Sequence, residues 1–312
     1  MMITENKYIR PSQLAEVIDS AKEYKNSMRF IAGGTDLMAN KFQNNEKSKV
    51  LIDITGLTEL KKIITDTDYI RIGALVTLHE LTQHPLIQKM VPSLCKAAAS
   101  VGTPLIRFSA TIGGNVLCEN RCLYYNQSDW WREAVGHCLK CDGNICIATG
   151  GNNACFSECV SDTAPVLISL QTKIRYISED GNEKIILLKD IYTGDGVSPR
   201  SIDNNELVLE LLIPTANEIK CDFQKLRLRE SLEFTSLSSA VSIEITGKIR
   251  ITLTGMDPKP VYLETDKNEE LDALAKRLLK MARPVDNDIF TRKYRREMVK
   301  VFLQRSYKNL EI

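Results

Sequence analysis

Neither sign of charge dominates this sequence: 41 lysines and arginines face 40 aspartates and glutamates, for a formal net charge of +1. Proteins that hold nucleic acid or anionic membranes carry a concentrated basic excess, so neither partner is expected. No run approaches the roughly 18 apolar residues needed to cross a bilayer. The stretch 1–10 is polar and mixed in charge, unlike a secretory signal, which leads to the expectation of a cytoplasmic protein. The motif GxGxxG occurs nowhere, so a Rossmann-type NAD site is unsupported. Internal repeats and low-complexity tracts are absent as well.

What is present suits a globular protein. At 312 residues, with 43% hydrophobic and 26% charged, the chain can form two or three domains with a proper core. Apolar spacing predicts a helix from Leu14 to Ala21, strands over residues 29–32 and 49–54, and a helix from Leu37, together a small β-α-β unit. Further on come a strand over 69–73, a capping box at Thr77 and Glu80, and a helical stretch over 86–100. A strand pair is expected around the turn at 180–182. The turn-rich residues 192–205 suggest a boundary near residue 200. Beyond it, strands at 206–213, 223–229, 236–245 and 248–254 and two amphipathic helices fit a three-stranded sheet backed by helices. The expected division is 1–200, with parts 1–56 and 57–200, and then 201–312.

Two glycine pairs carry chemical meaning. Gly33 and Gly34 follow the strand Arg29, Phe30, Ile31, Ala32 and precede Thr35, Asp36 and Leu37. Gly113 and Gly114 lie between Thr111 and Asn115. Glycine lets backbone N–H groups come close to a phosphate, so two such loops suit the diphosphate of a flavin dinucleotide. Either pair alone is more often an ordinary turn.

Seven of the nine cysteines fall within residues 118–159. Reduced thiols so clustered suggest metal or redox chemistry. Only one CxxC is present, Cys138 to Cys141, whereas zinc sites usually use two close pairs. A [4Fe–4S] cluster needs four thiolates at free spacing. Spacing alone leaves iron–sulfur and zinc both open, with reactive thiols a third reading. Tyr124, Tyr125, Trp130 and Trp131 would form a private core around the metal, and His137 is more simply a surface residue. Lys225 and Arg227 alternate along a strand and would share a face.

The motifs Ala32-Gly33-Gly34-Thr35-Asp36-Leu37, Ala110-Thr111-Ile112-Gly113-Gly114-Asn115 and Ser161-Asp162-Thr163-Ala164-Pro165, in that order, resemble the FAD-binding subunits of the molybdenum hydroxylases. Xanthine dehydrogenase and molybdenum-type carbon monoxide dehydrogenase belong to that family. The resemblance implies an α+β fold: a two-part FAD domain and a C-terminal domain. It further implies that Arg29 to Leu37, Thr111, Gly114 and Asn115 line the flavin diphosphate and its flanks. Asp162 would bond the adenosine ribose, Leu209 would pack near a ring of the cofactor, and Lys225 would approach the flavin. Residues 117–160 form an insertion where most of the family has a short link. Arg121-Cys122-Leu123-Tyr124-Tyr125-Asn126-Gln127 with Trp131-Arg132 is similar to the flavin subunits of the 4-hydroxybenzoyl-CoA reductases. That likeness implies a [4Fe–4S] cluster on Cys122, Cys138, Cys146 and Cys155, with Cys118, Cys141 and Cys159 as non-ligands.

The function so implied is electron transfer between an external ferredoxin-like carrier, the cluster, FAD, and two partners: a small [2Fe–2S] subunit and a molybdopterin-binding large subunit. Substrate chemistry would occur on the large subunit, so no catalytic residue is expected here. The alternatives are the flavin subunit of a xanthine-dehydrogenase-type hydroxylase, a stand-alone flavoprotein that oxidises NADH, or a zinc-stabilised scaffold without flavin.

Overall fold

The computed structural model of the protein describes residues 6–215 and 219–312. Residues 1–5 of the polar N-terminal stretch and 216–218 of the expected C-terminal domain lie outside them.

Three sheets organise the chain. The first is parallel, in the order β1 (Lys7–Ile9), β3 (Val50–Asp53), β2 (Met28–Ile31). Parallel neighbours need crossovers, which helices Leu14–Glu23 and Leu37–Phe42 supply. Val17 and Ala21, one helical turn apart, are buried in one core with Val50 and Ile52. The expected β-α-β unit is there, with β1 added in front.

The second sheet is antiparallel, in the order β4 (Ile63–Thr65), β5 (Tyr69–Gly73), β8 (Leu207–Pro214), β6 (Lys173–Ile177), β7 (Glu183–Leu187). β8 is its central strand, which is why Leu207 to Ile213 is buried without a break. The one charge in that run, Glu210, is held by Arg71 and by Arg175 Nε at 2.7 Å. At the head of helix Leu78–Gln83 the Glu80 N–H donates to Thr77 Oγ1, and the Thr77 N–H donates to the Glu80 carboxylate. The single helix expected over 86–100 is two, Pro85–Met90 and Pro92–Ala99. Pro92 has no N–H to donate and its ring clashes with the preceding turn, so the first helix stops there.

The third sheet runs β12 (Val261–Asp266), β11 (Lys248–Thr254), β10 (Leu237–Glu244), β9 (Ile219–Leu226), all antiparallel. It has four strands where three were expected. Moreover, the expected strand at 206–213 is β8 of the second sheet, so the change of sheet follows Pro214 rather than residue 200. The turn-rich stretch 192–205 is a surface loop, closed by a bridge between Tyr192 and Arg200, that joins two elements of one lobe. Leu237, Val241, Ile249 and Ile251 face helices Leu271–Met281 and Arg292–Leu310. The opposite face of β10 carries the small residues Ser238, Ala240 and Ser242, which let helix Ala164–Ser169 come close. There Ser242 Oγ donates to the Ser169 carbonyl at 2.8 Å.

The cysteine-rich insertion leaves the second lobe and returns to it. Its ends pair at Arg121 and Glu158. Asn120 Nδ2 donates to the Ser157 and Pro258 carbonyls, both at 2.9 Å. The expected aromatic core is not what fills it. Of the four aromatics only Tyr125 is buried, and Trp130 is 75% exposed. The packing centre is Arg132, 1% exposed, whose guanidinium donates to the carbonyls of Tyr125, Gln127 and Gln43. Trp130 and Arg132 are two apart on helix Asp129–Val135, so burying one turns the other outward. Among the described residues no helix is long and apolar enough to cross a membrane.

Candidate functional site

A cavity of about 560 Å³ opens where the three lobes, one built around each sheet, meet. Its lining contains all of Arg29 to Leu37, together with Thr111, Gly114, Asn115 and Asp162. The sequence motifs, up to 133 positions apart, therefore converge.

The glycines do not act alike. A Cβ on Gly33 would lie 1.8 Å from the Ser109 carbonyl oxygen, and one on Gly113 would lie 2.8 Å from the Ala74 carbonyl oxygen. These two are glycine because another backbone passes there. Gly34 adopts φ +68°, a conformation side chains rarely take. Only Gly114 is bare toward the cavity: its Cβ would meet Thr111 Oγ1 at 3.1 Å and nothing else.

The two loops also differ in their donors. In the second, Gly113 N–H donates to Ala74 O, Gly114 N–H to Thr111 Oγ1, and Asn115 N–H to Thr111 O. In the first, the N–H groups of Gly33, Gly34, Thr35 and Asp36 have no acceptor among the described residues. A run of free backbone donors beside a cavity is an anion cradle. Arg29 in the lining is already paired with Glu46, and the lining carboxylate of Asp36 is held by Arg121 behind it. Asn40 Oδ1 and Asn45 Oδ1, on residues that line the cavity, are buried acceptors with no partner among the described residues. Such atoms call for a ligand that donates hydrogen bonds. The cavity, cradle and orphaned acceptors fit an FAD.

Asn115 ties the motifs together. Its Oδ1 accepts from Ser161 Oγ at 2.9 Å, Thr163 Oγ1 at 2.7 Å and the Thr163 N–H at 3.2 Å. Asp162, thus set, receives Lys225 Nζ at 2.7 Å and Ser238 Oγ at 3.1 Å. Both side chains of the Asp162–Lys225 pair are 4% exposed. Burial pushes the Asp162 carboxyl upward, while Lys225 and Ser238 pull it back. Lys225 and Arg227 share a face as expected, since both reach the Ser100 carbonyl. Lys225 nonetheless stands behind Asp162 and outside the cavity lining, and Leu209 is packed in the first lobe's core. The neighbours of Leu209, Leu207 and Val208, reach the cavity instead.

Sequence reasoning missed several walls: Asn40 and Asn45, the loop residues Leu232 to Phe234, and the trio Glu119, Lys140 and Arg200. The first two had no pattern to mark them. The trio held a signal, since Glu119 and Lys140 flank cysteines, but its pairing depends on the fold. Lys140 Nζ lies 2.7 Å from Glu119, and Arg200 lies 2.9 Å from the other oxygen of the same carboxylate. Burial alone would raise the Glu119 carboxyl. The two cations more than offset that and hold it at about 2.

A second, small cavity lies within the insertion. Cys122, Cys138, Cys146 and Cys155 all line it. The other three cysteines of the segment do not. Cys118 lines the large cavity, Cys159 is in the hydrophobic core, and Cys141 is near His137 Nδ1 at 3.4 Å. No cysteine is in a disulfide. Burial pushes the Cys122 thiol up to about 12 and the Cys138 thiol upward too. Among the described residues, no three His, Cys, Asp or Glu side chains gather closely enough for a single metal ion. Four cysteines that line one space offer the soft donor set that a metal cluster would need. Tyr125 and Lys140 line both cavities.

Comparison with known proteins agrees with this geometry. The family model described as "FAD binding domain in molybdopterin dehydrogenase" matches residues 3–216. The aldehyde oxidoreductase FAD-binding subunit PaoB of Escherichia coli (strain K12) is 30% identical over 265 residues, covering 82% of this chain and 83% of that one. The nicotinate dehydrogenase FAD-subunit of Eubacterium barkeri is 28% identical over 243 residues, 77% of this chain and 69% of the relative. A solved structure of carbon monoxide dehydrogenase from Hydrogenophaga pseudoflava shares the fold, with a TM-score of 0.77 at 19% identity over 99% of this chain and 98% of that one. With free backbone donors beside a large cavity and a family match over more than half its length, the chain belongs to the FAD-binding subunits of the molybdenum hydroxylases, and is an oxidoreductase subunit.

Proposed function

We propose that this chain is an electron-transfer subunit holding two redox groups: FAD in the large cavity and a [4Fe–4S] cluster on Cys122, Cys138, Cys146 and Cys155. The observation that carries the reading is the shared wall. The four cysteines face one space, and Tyr125 and Lys140 separate that space from the flavin cavity.

Bound flavin supplies exchange between one- and two-electron steps, and a bound cluster accepts or gives single electrons. The protein's own part is positioning and exclusion of water. The free N–H groups of residues 33–36 would hold the diphosphate, and Gly114 leaves room for its approach. Asn40 and Asn45 would accept hydrogen bonds from the cofactor, and Asp162 would take a ribose hydroxyl. The division of the chain proposed on this basis is an FAD part up to Pro214 with the insertion 117–160, and a C-terminal part after it.

Substrate chemistry belongs, on this reading, to a molybdopterin-binding large subunit reached through a small [2Fe–2S] subunit, with a ferredoxin-like carrier at the cluster. The similarity of residues 121–132 to the 4-hydroxybenzoyl-CoA reductases supports inward electron flow, toward reduction of an aromatic acyl-CoA. The aldehyde oxidoreductase and nicotinate dehydrogenase relatives favour equally a hydroxylase in which electrons flow outward. Copurification of the partner subunits, followed by reduction of the complex with substrate or with reduced ferredoxin, separates the two.

The cluster reading is tested on the chain prepared anaerobically. Iron and acid-labile sulfide in equal amounts, and a paramagnetic signal on reduction, are expected. Cys146→Ala should remove the signal and leave FAD bound, whereas Cys141→Ala should keep both. Zinc in place of iron, or a full signal in Cys146→Ala, would overturn the ligand assignment.

A further inference from the structure

We propose that Lys140 is a shared positioning residue: one fixed positive charge in the wall between the two cavities that raises the reduction potentials of both groups. The inference rests on the two-cofactor reading above and assigns a role to residues outside the flavin loops and the cysteine set.

Three observations support it. Lys140 lines both cavities, yet its side chain is only 4% exposed. Its ammonium is fixed on several sides. Nζ lies 2.7 Å from Glu119 Oε1, donates to the Gly196 carbonyl at 2.5 Å, and stands 5.2 Å from the centre of the Tyr125 ring. Lastly, Glu119 does not cancel Lys140, because the same carboxylate also serves Arg200. Two cations share one anion, which leaves a net positive charge in a largely buried wall.

The Gly196 contact brings this charge near a cysteine. A Cβ on Gly196 would lie 2.8 Å from Cys155 Sγ, so the backbone that receives Lys140 also touches one of the four sulfurs. A buried positive charge favours whichever redox state is more negative, and it acts strongly where water cannot screen it. Lysine is a compact point charge, so it can serve two neighbours at once without a planar pairing geometry.

Signs separate this role from a merely structural one. Lys140→Met removes the net charge of the trio, and Glu119→Gln doubles it. The double variant restores the original value. Lys140→Met should therefore lower the midpoint potentials of both flavin and cluster. For the cluster we expect at least a tenfold weaker one-electron reduction equilibrium, which is about 59 mV. Glu119→Gln should raise both midpoints, and the double variant should return near the wild type. The measurement is a redox titration of the full chain, by visible spectra for the flavin and paramagnetic resonance for the cluster.

Shifts of equal sign in the two single variants would overturn the proposal, as would unchanged midpoints or a response of the flavin alone. If Lys140→Met fails to load its cofactors, Lys140→Arg and Glu119→Gln still decide. The first keeps the charge and should keep the midpoints, and the second should raise them. A wild-type chain with flavin but no iron sinks the cluster reading itself, and the shared role with it. Loaded wild type with indifferent variants sinks only the role of Lys140.

Discussion

Single glycines show where sequence chemistry was legible at the scale of a residue and where it was not. A Gly-Gly pair after a strand reads as a phosphate approach, and the N–H groups of residues 33–36, beside the cavity, have no acceptor among the described residues. The sequence has no way to reveal that Gly33 is glycine for the sake of Ser109, or that Gly196 lies against Cys155. Both reasons sit on distant segments of the chain. The contrast gives a paired prediction. Gly33→Ala forces a methyl group into the Ser109 carbonyl, a backbone atom that cannot rotate away. Overpacking typically costs about 1–3 kcal/mol, and this site should reach or exceed that range. FAD content and the unfolding midpoint should fall together. Gly196→Ala instead pushes on the Cys155 carbonyl and sulfur, so iron content should fall while FAD is retained. Equal loss of flavin in the two variants would contradict the separation of the sites.

Elements were legible where their periodicity was local and illegible where the fold decided. β11 alternates Ile249, Ile251 and Leu253 with polar residues, and its bounds match the expectation from Lys248 to Thr254. β12 carries little sequence signal because it is an edge strand. Only Val261 and Leu263 are buried, and polar Glu264, Thr265 and Asp266 complete it. β8 was found as a strand and expected in the wrong sheet, since an apolar run says that a strand is buried on both faces and not by what. The small residues of β10 likewise acquire their meaning from a neighbour, helix Ala164–Ser169, and from the Asp162–Lys225 pair beside it. That pair fastens the second lobe to β9. Lys225→Met would leave the Asp162 carboxyl buried without its cation, and breaking a buried pair from one side costs about 3–5 kcal/mol. The urea midpoint should drop accordingly at an unchanged slope. Lys225→Met combined with Asp162→Asn should recover part of the loss, because no unpaired charge then remains. A midpoint equal to the wild type in Lys225→Met would mean that the pair contributes nothing to the docking of the third sheet.

In the whole molecule the flavin cavity acts as a joint. Its walls come from the first sheet at residues 29–37, from the second lobe at Thr111, Gly114 and Val208, and from Leu232 to Phe234 between β9 and β10. A ligand touching all three binds only the assembled form, so it stabilises that form by mass action, by about 2.7 kcal/mol at a hundredfold excess over Kd. The stabilisation should be felt wherever the walls are, not only at the phosphate loop. Limited proteolysis checks this. FAD should slow cleavage in residues 33–46 and in residues 228–234 together, although the two segments lie far apart in sequence and in different lobes. Riboflavin has no diphosphate to engage the free N–H groups at 33–36, so it should protect the first segment poorly even at saturation. If FAD protected the glycine loop and left residues 228–234 as exposed as before, the third lobe would not be part of the site. The cavity would then be a cleft between two lobes with a bystander beside it.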